Sequence, residues 1–261
     1  MDDWERKWLA YKRVLRESDV VVQVVDARDP KGTLSRELTR YKSKMVVAAN
    51  KVDLAGPGAR RQIAELLPRH RVAFTSWKTG EGIQALLRAI RDAAKTEKPR
   101  VAFVGYPNVG KSSLMNRIAG KKIVRVSPLP GETRGVQWVS LPFMFLVDTP
   151  GVVPRTEKSG KGLALKGAVR ADRIPDPEPI AEEILARFLK ARPASVKECY
   201  GIPAGRESDP ARMLEKIAFR RGRLLKGGEP DLYEAAKTVI RDYQRGRLCL
   251  APKKTGSGRL P

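Results

Sequence analysis

The sequence is poor in cysteine, in histidine, in acid and in long apolar runs. Its 261 residues hold two cysteines, Cys199 and Cys249, single and far apart. That argues against a disulfide framework and a zinc site, and it leads us to expect a reducing, cytoplasmic compartment. Apolar stretches such as Val20–Val25, itself broken by Gln23, fall far short of the ~18 uninterrupted residues of a membrane span. Two acids between Met1 and Glu5 leave no signal-peptide pattern, so no membrane partner is expected. The single histidine, His70, follows Pro68 in a loop and is expected at the surface rather than in catalysis. Acid is the largest shortfall: 29 Asp and Glu face 52 Lys and Arg, for a formal charge of +23. The surplus is spread out, with 34 basic and 17 acidic side chains in residues 1–175 and 18 against 12 in residues 176–261. A basic excess along a whole chain points to a large polyanion, of which nucleic acid is the commonest.

What is present is a globular composition, 41% hydrophobic and 31% charged, which excludes disorder throughout. The length suits one full domain and a smaller one. Apolar spacing predicts a helix over Trp4–Glu17 with Trp4, Trp8, Tyr11 and Leu15 on one face, then strands at Val20–Val25, Met45–Ala49, Val72–Thr75 and Val101–Val104. Helices are predicted over Ala59–Leu67, Ile83–Ala94 and Lys111–Ala119, and Val136–Leu141 with Phe143–Val147 reads as a hairpin. Strands alternating with helices predict an α/β domain, with a mostly parallel sheet covered on both faces and one antiparallel edge. Three prolines within Ile174–Pro179 mark a boundary. Residues 1–175 are then the α/β domain, 176–250 a small, basic, all-helical C-terminal domain and 251–261 a frayed tail. Two apolar stripes support the second: Ile180, Ile184, Leu185, Phe188 and Leu189, then Met213, Leu214, Ile217 and Phe219.

The sharpest motif is Gly105-Tyr106-Pro107-Asn108-Val109-Gly110-Lys111-Ser112, a G-x-x-x-x-G-K-S run between a strand and a helix. Gly105 and Gly110 let backbone N–H groups curl around phosphate oxygens, and the helix N-terminus adds its positive dipole end. Asn108, Val109, Gly110 and Ser113 complete this phosphate cradle, Lys111 reaches the β and γ phosphates, and Ser112 ligates Mg²⁺. The base is chosen by Asn50-Lys51-Val52-Asp53 at the end of a strand. A carboxylate at Asp53 accepts both the N1–H and the N2–H₂ of guanine, whereas adenine would present an acceptor to the same anion. Asn50 braces the neighbouring loop, and the Lys51 stem lies along the base. Ser76-Trp77-Lys78 resembles the Ser-Ala-Lys element of GTPases, whose backbone N–H reads the guanine O6. Asp148-Thr149-Pro150-Gly151 closes an apolar strand: Asp148 binds Mg²⁺ through water, and the Gly151 N–H senses the γ-phosphate. In Pro130–Gly135, Thr133 is the second hydroxyl for Mg²⁺, with Ser127 nearby as an alternative. Lys111, Thr133 and Gly151 are thus the catalytic set.

The guanine-reading runs precede the phosphate loop, the reverse of most small GTPases. This order resembles the circularly permuted GTPases of the YlqF/RbgA type and their nucleolar relatives, over nearly the whole chain. Asp26-Ala27-Arg28-Asp29-Pro30, the stretch from Gly131 to Val139, Arg220-Arg221-Gly222, Asp242-Tyr243 and Gly246-Arg247-Leu248 also match. The resemblance implies a GTP-hydrolysing switch that binds the large ribosomal subunit or its precursor, both rRNA and ribosomal proteins, and is monomeric off the ribosome. A K⁺-stimulated GTPase of tRNA modification and a nucleotide-binding RNA scaffold without turnover remain open alternatives. Val152 stands where Ras-like enzymes place the water-orienting Gln, so slow intrinsic hydrolysis is expected. In similar GTPases an Asn at the position of Asn108 helps hold K⁺, which implies stimulation by that ion. Arg220, Arg221, Arg223, Lys226, Arg241, Arg245 and Arg247 are the basic side chains suited to rRNA phosphates.

Overall fold

The computed structural model describes residues 3–121, 138–149 and 160–252. The chain parts into two compact units, one of residues 1–53 with 58–174, the other of residues 54–57 with 175–261. The first unit is built on six strands: β1 Val20–Asp26, β2 Met45–Asn50, β3 Arg71–Phe74, β4 Arg100–Val104, β5 Trp138–Leu141 and β6 Met144–Asp148. They stand in the order β3-β2-β1-β4-β6-β5. All neighbouring pairs are parallel except β5 with β6. Every residue of β1 and β2 is buried, which is why both read as mostly apolar runs rather than alternating ones, Gln23 being the polar interruption in β1.

The chain winds outward from β1 through β2 to β3 and then returns to lay β4 on the other side of β1. That reversal makes the carboxyl ends of β1 and β4 a topological switch point, where a crevice opens. The register brings Asp26 level with Asn50 and Phe103 level with Asp148, so the ends of β1, β2 and β6 reach the same edge. Helices cover the faces: α1 Asp3–Glu17, the one-turn α2 Pro30–Thr33, α3 Ala59–Leu66, α4 Ile83–Ala93, α5 Lys111–Ala119 and α6 Gly160–Leu165. In α1, Tyr11 and Leu15 are buried and Trp8 stacks on Tyr11 with ring centroids 5.3 Å apart; the Trp4 side chain lies outside the described residues. Phe103, Leu114, Met115 and Leu146 are fully buried between β4, β6 and α5. Phe103→Ala should destabilise the unit by about 3–5 kcal/mol, read as a lower denaturant midpoint at unchanged slope.

The second unit holds α7 Glu178–Ala191, α8 Pro193–Tyr200, α9 Pro210–Arg220 and α10 Leu232–Gln244. Asp209 and Asp231 cap α9 and α10, each carboxylate accepting a backbone N–H three residues on, at 2.9 Å. The stripe from Ile180 to Leu189 is buried, and Phe188 meets the Tyr243 ring edge-on at 6.1 Å. One stripe residue departs from expectation: Phe219 is 56% exposed. It lies two residues past buried Ile217, about 200° round the helix, and so faces away from the core. His70 is partly exposed in the turn after α3. Its N–H donates to the Leu67 carbonyl at 3.1 Å, which curls the turn back, and burial and then Lys42 lower its pKa.

Candidate nucleotide-binding site

The loop after β4 has the shape its glycines impose. Gly105 has φ +142°, and a Cβ there would sit 2.4 Å from the Val24 carbonyl oxygen; Gly110 has φ +100°, and a Cβ there would meet the Asn50 amide nitrogen at 2.3 Å. No other residue fits either position. The loop runs straight into α5, whose first residue is Lys111. The Lys111 ammonium arches back over the loop and donates to the carbonyls of Gly105 at 3.0 Å and Tyr106 at 2.9 Å. Burial lowers its pKa to about 8, with Asp148 partly opposing the shift.

Ser112 Oγ donates to Asp148 Oδ2 at 2.5 Å, and Asp148 Oδ1 is buried without a hydrogen-bond partner among the described residues. Burial raises the Asp148 pKa, opposed by Lys111 and the Ser112 hydrogen bond. A hydroxyl beside a carboxylate with an orphaned oxygen is a hard-oxygen donor set that fits Mg²⁺. Among the described residues no group of three or more His, Cys, Asp or Glu could hold a metal.

Asn50 connects the two loops that the chain order separates. Its Nδ2 donates to the Val109 carbonyl at 2.8 Å, while its Oδ1 accepts the Trp77 N–H at 3.3 Å and the Thr75 hydroxyl at 3.4 Å. The Trp77 N–H is therefore engaged, though through a long bond, and its indole is 42% exposed. Ser76 is buried, its hydroxyl accepting the Thr79 N–H at 3.1 Å, and Lys78 is exposed. Lys51 is buried, its Nζ donating to the Asn108 carbonyl at 2.6 Å and to Asp26 Oδ2 at 2.9 Å. Asn108 in turn donates from Nδ2 to the Gly167 carbonyl at 2.6 Å. Asp53 is half-buried in the short turn Val52–Leu54, pinned by the Val52 N–H on the Thr75 carbonyl at 3.2 Å. Ser113 is half-buried on the first turn of α5. Ser127, Thr133, Gly151 and Val152 lie outside the described residues, as do residues 253–261.

Sequence reasoning gave no role to Asp26 or Arg28. Both are buried, and Arg28 donates to the Asp26 carboxylate from Nε at 2.9 Å and Nη2 at 2.7 Å. The available signal was an acid and a base two residues apart at a strand end, a pattern too short to distinguish from an ordinary turn.

In the second unit, Arg220, Arg221, Arg223, Lys226, Arg245 and Arg247 are exposed and Arg241 is half-buried. Three of the expected basic set also make internal contacts. Arg221 donates to the Cys199 carbonyl at 3.0 Å and lies 5.4 Å over the Tyr200 ring. Arg247 pairs with Asp242 at 3.2 Å and Arg241 with Glu234 at 3.8 Å.

A phosphate loop on the strand beside a switch point, with base-reading runs preceding it in the chain, defines a P-loop protein of the GTPase class in permuted order. The fold is that of the circularly permuted GTPases, and the chain is similar to those of the YlqF/RbgA type. Residues 100–176 match the family model described as 50S ribosome-binding GTPase. The fold is similar to that of GNP-bound YlqF from T. maritima, with a TM-score of 0.69 and 29% identity over 94% of this chain and 96% of that one. Nucleolar GTP-binding protein 2 of Schizosaccharomyces pombe is 35% identical over 259 residues, 94% of this chain and 47% of that protein. Nuclear/nucleolar GTPase 2 of Arabidopsis thaliana is 36% identical, over 94% of this chain and 44% of that protein. The chain thus spans about half the length of the curated relatives it matches. Their names correct one expectation: these relatives are nuclear or nucleolar, which overturns the cytoplasmic compartment inferred from the cysteines. The inference went astray because thiols stay reduced in the nucleus as well as in the cytosol.

Proposed function

We propose that the protein binds Mg²⁺-GTP at the mouth of the loop 105–112, hydrolyses it slowly, and uses the change to switch its hold on the large ribosomal subunit or its precursor. The observation that carries this reading is Asn50, whose one amide braces the phosphate loop and the guanine-reading loop together. In this reading Lys111 and the N–H groups of residues 108–113 hold the phosphates, and Asp53 selects guanine. Ser112 and Asp148 hold Mg²⁺, which when bound neutralises charge on the β and γ phosphates. Thr133 and Gly151 are assigned from sequence alone to the metal and the γ-phosphate. The exposed Arg220, Arg223, Lys226 and Arg245 supply salt-dependent attraction to rRNA in either nucleotide state. Residues 1–175 form the nucleotide-responsive part and 176–250 the RNA-facing part, in a protein that is monomeric off the ribosome.

Sedimentation with purified large subunits tests the switch: the non-hydrolysable GTP analogue should favour binding about tenfold over GDP at matched salt, which needs ~1.4 kcal/mol of differential interaction. Equal affinity in both states would remove the case for a switch. Hydrolysis should rise when K⁺ replaces Na⁺ and rise again with large subunits, because Val152 cannot orient water. Asn108→Asp should abolish the K⁺ response. An unchanged response, or Na⁺ serving as well, removes the monovalent ion from the reading.

A further inference from the structure

Lys51 and Asn108 are the two non-glycine residues with positive φ among those described, at +65° and +60°. They face each other, joined by the 2.6 Å bond from the Lys51 ammonium to the Asn108 carbonyl. Left-handed backbone at such residues persists only where the surroundings over-determine it. A neutral carbonyl is a poor sole partner for a buried ammonium, and the largest opposite charge that answers it lies outside both loops, with Asp53 a smaller contributor. That largest charge is Asp26, at the end of β1 between the two strands that carry those loops.

The Asp26 carboxylate is itself aimed. Oδ1 accepts the Arg28 N–H at 3.0 Å and Arg28 Nε at 2.9 Å, and Oδ2 accepts Arg28 Nη2 at 2.7 Å together with the Lys51 ammonium. The Asp26 N–H donates to Thr33 Oγ1 at 2.9 Å, so its backbone is tied as well. Burial alone pushes the Asp26 carboxyl up, but Arg28 and Lys51 outweigh it and keep the group ionised, well below the usual carboxylate range. Sharing one carboxylate with Arg28, the Lys51 ammonium is held against the phosphate loop.

We propose that Asp26, clamped by Arg28, is a positioning residue that holds Lys51 on the Asn108 carbonyl and thereby sets how long a guanine nucleotide stays bound. The inference rests on the nucleotide reading given above and deepens it. It assigns the coupling between the guanine-reading and phosphate loops to a third strand that touches neither base nor phosphate.

The test is the dissociation rate constant of a fluorescent GDP from the full chain, followed by displacement with excess GDP. Asp26→Asn should raise it about tenfold. A merely structural role would lower the amplitude, through a smaller folded fraction, and leave the rate constant alone. In a Lys51→Met background the same substitution should add nothing further, since the group it positions is gone. Asp26→Asn leaves two buried cations without their anion and is the variant at risk of not folding. Arg28→Met keeps the Asp26–Lys51 pair neutral and should raise the rate constant in the same direction by a smaller factor. An unchanged rate constant in either folded variant, or an equal effect of Asp26→Asn with and without Lys51, overturns the inference while the nucleotide reading stands. Unmutated protein that binds no guanine nucleotide overturns both.

Discussion

Replacing Asp53 by Asn should weaken GTP binding by at least tenfold and move the base preference from guanine toward xanthine. In the proposed reading the carboxylate accepts two donors, N1–H and the exocyclic N2–H₂, and hydrogen bonds to a charged group contribute about 1.5–3 kcal/mol each. Asn keeps one acceptor for N1–H, but turns an NH₂ toward the guanine NH₂, donor against donor. Xanthine carries a carbonyl at that carbon, so the same amide regains its second bond. The turn that presents residue 53 is held through the Val52 N–H and the Thr75 carbonyl, groups the substitution does not touch. Loss of GTP affinity therefore reports base reading rather than a displaced loop. Competition of GTP, ATP and XTP against a fluorescent GDP measures all three, and equal affinity of the unmutated protein for ATP and GTP would sink the assignment.

The second large effect belongs to Lys111 and depends on pH with opposite signs for ligand and fold. Its pKa, lowered by burial to about 8, lies below the ordinary lysine value of 10.5. Above pH 8 the free protein loses this charge, whereas a bound diphosphate favours the ammonium, so binding takes up a proton. GDP affinity measured in EDTA should be flat up to about pH 8 and then fall by as much as tenfold per pH unit. Stability of the nucleotide-free protein moves the other way. The unfolded chain holds this proton up to 10.5 and the folded one gives it up at about 8, so between those values the unfolded state binds more protons and Lys111 contributes rising stability with rising pH. Lys111→Met should cost on the order of a hundredfold in GDP affinity and remove both slopes. Calorimetric titration and denaturant melts at pH 7, 8, 9 and 9.5 provide the check, and an affinity that holds constant to pH 9.5 rules out the charged lysine as the phosphate partner.

Arg220 and Arg221 looked alike as neighbouring cations, and both are exposed, but Arg221 also lies over Tyr200 and donates to the Cys199 carbonyl. The difference is that Arg220 ends α9 while Arg221 lies one residue past it, where the chain has left the helix, a boundary that a run of basic residues does not encode. Phe219 failed as a core residue because it ends an apolar run but not an apolar face.

The sequence by itself determined what depends on residues within a turn or two of each other. Strand and helix periods placed most elements to within a residue or two, α5 at Lys111–Ala119 without any shift, because side-chain direction alternates at fixed steps along a backbone. The phosphate loop was legible because two glycines five residues apart meet a steric requirement that is local. Only the tertiary structure decided the strand order β3-β2-β1-β4-β6-β5, and with it every pair that spans the crossovers: Asn50 with Val109, Lys51 with Asn108, Asp26 with Lys51. These partners lie 25 to 59 residues apart, and nothing in the run between them records the distance at which they meet. A buried charge accepts whichever opposite charge the packing of the sheet brings within 3 Å, and that choice is made by how the strands line up, not by spacing along the chain.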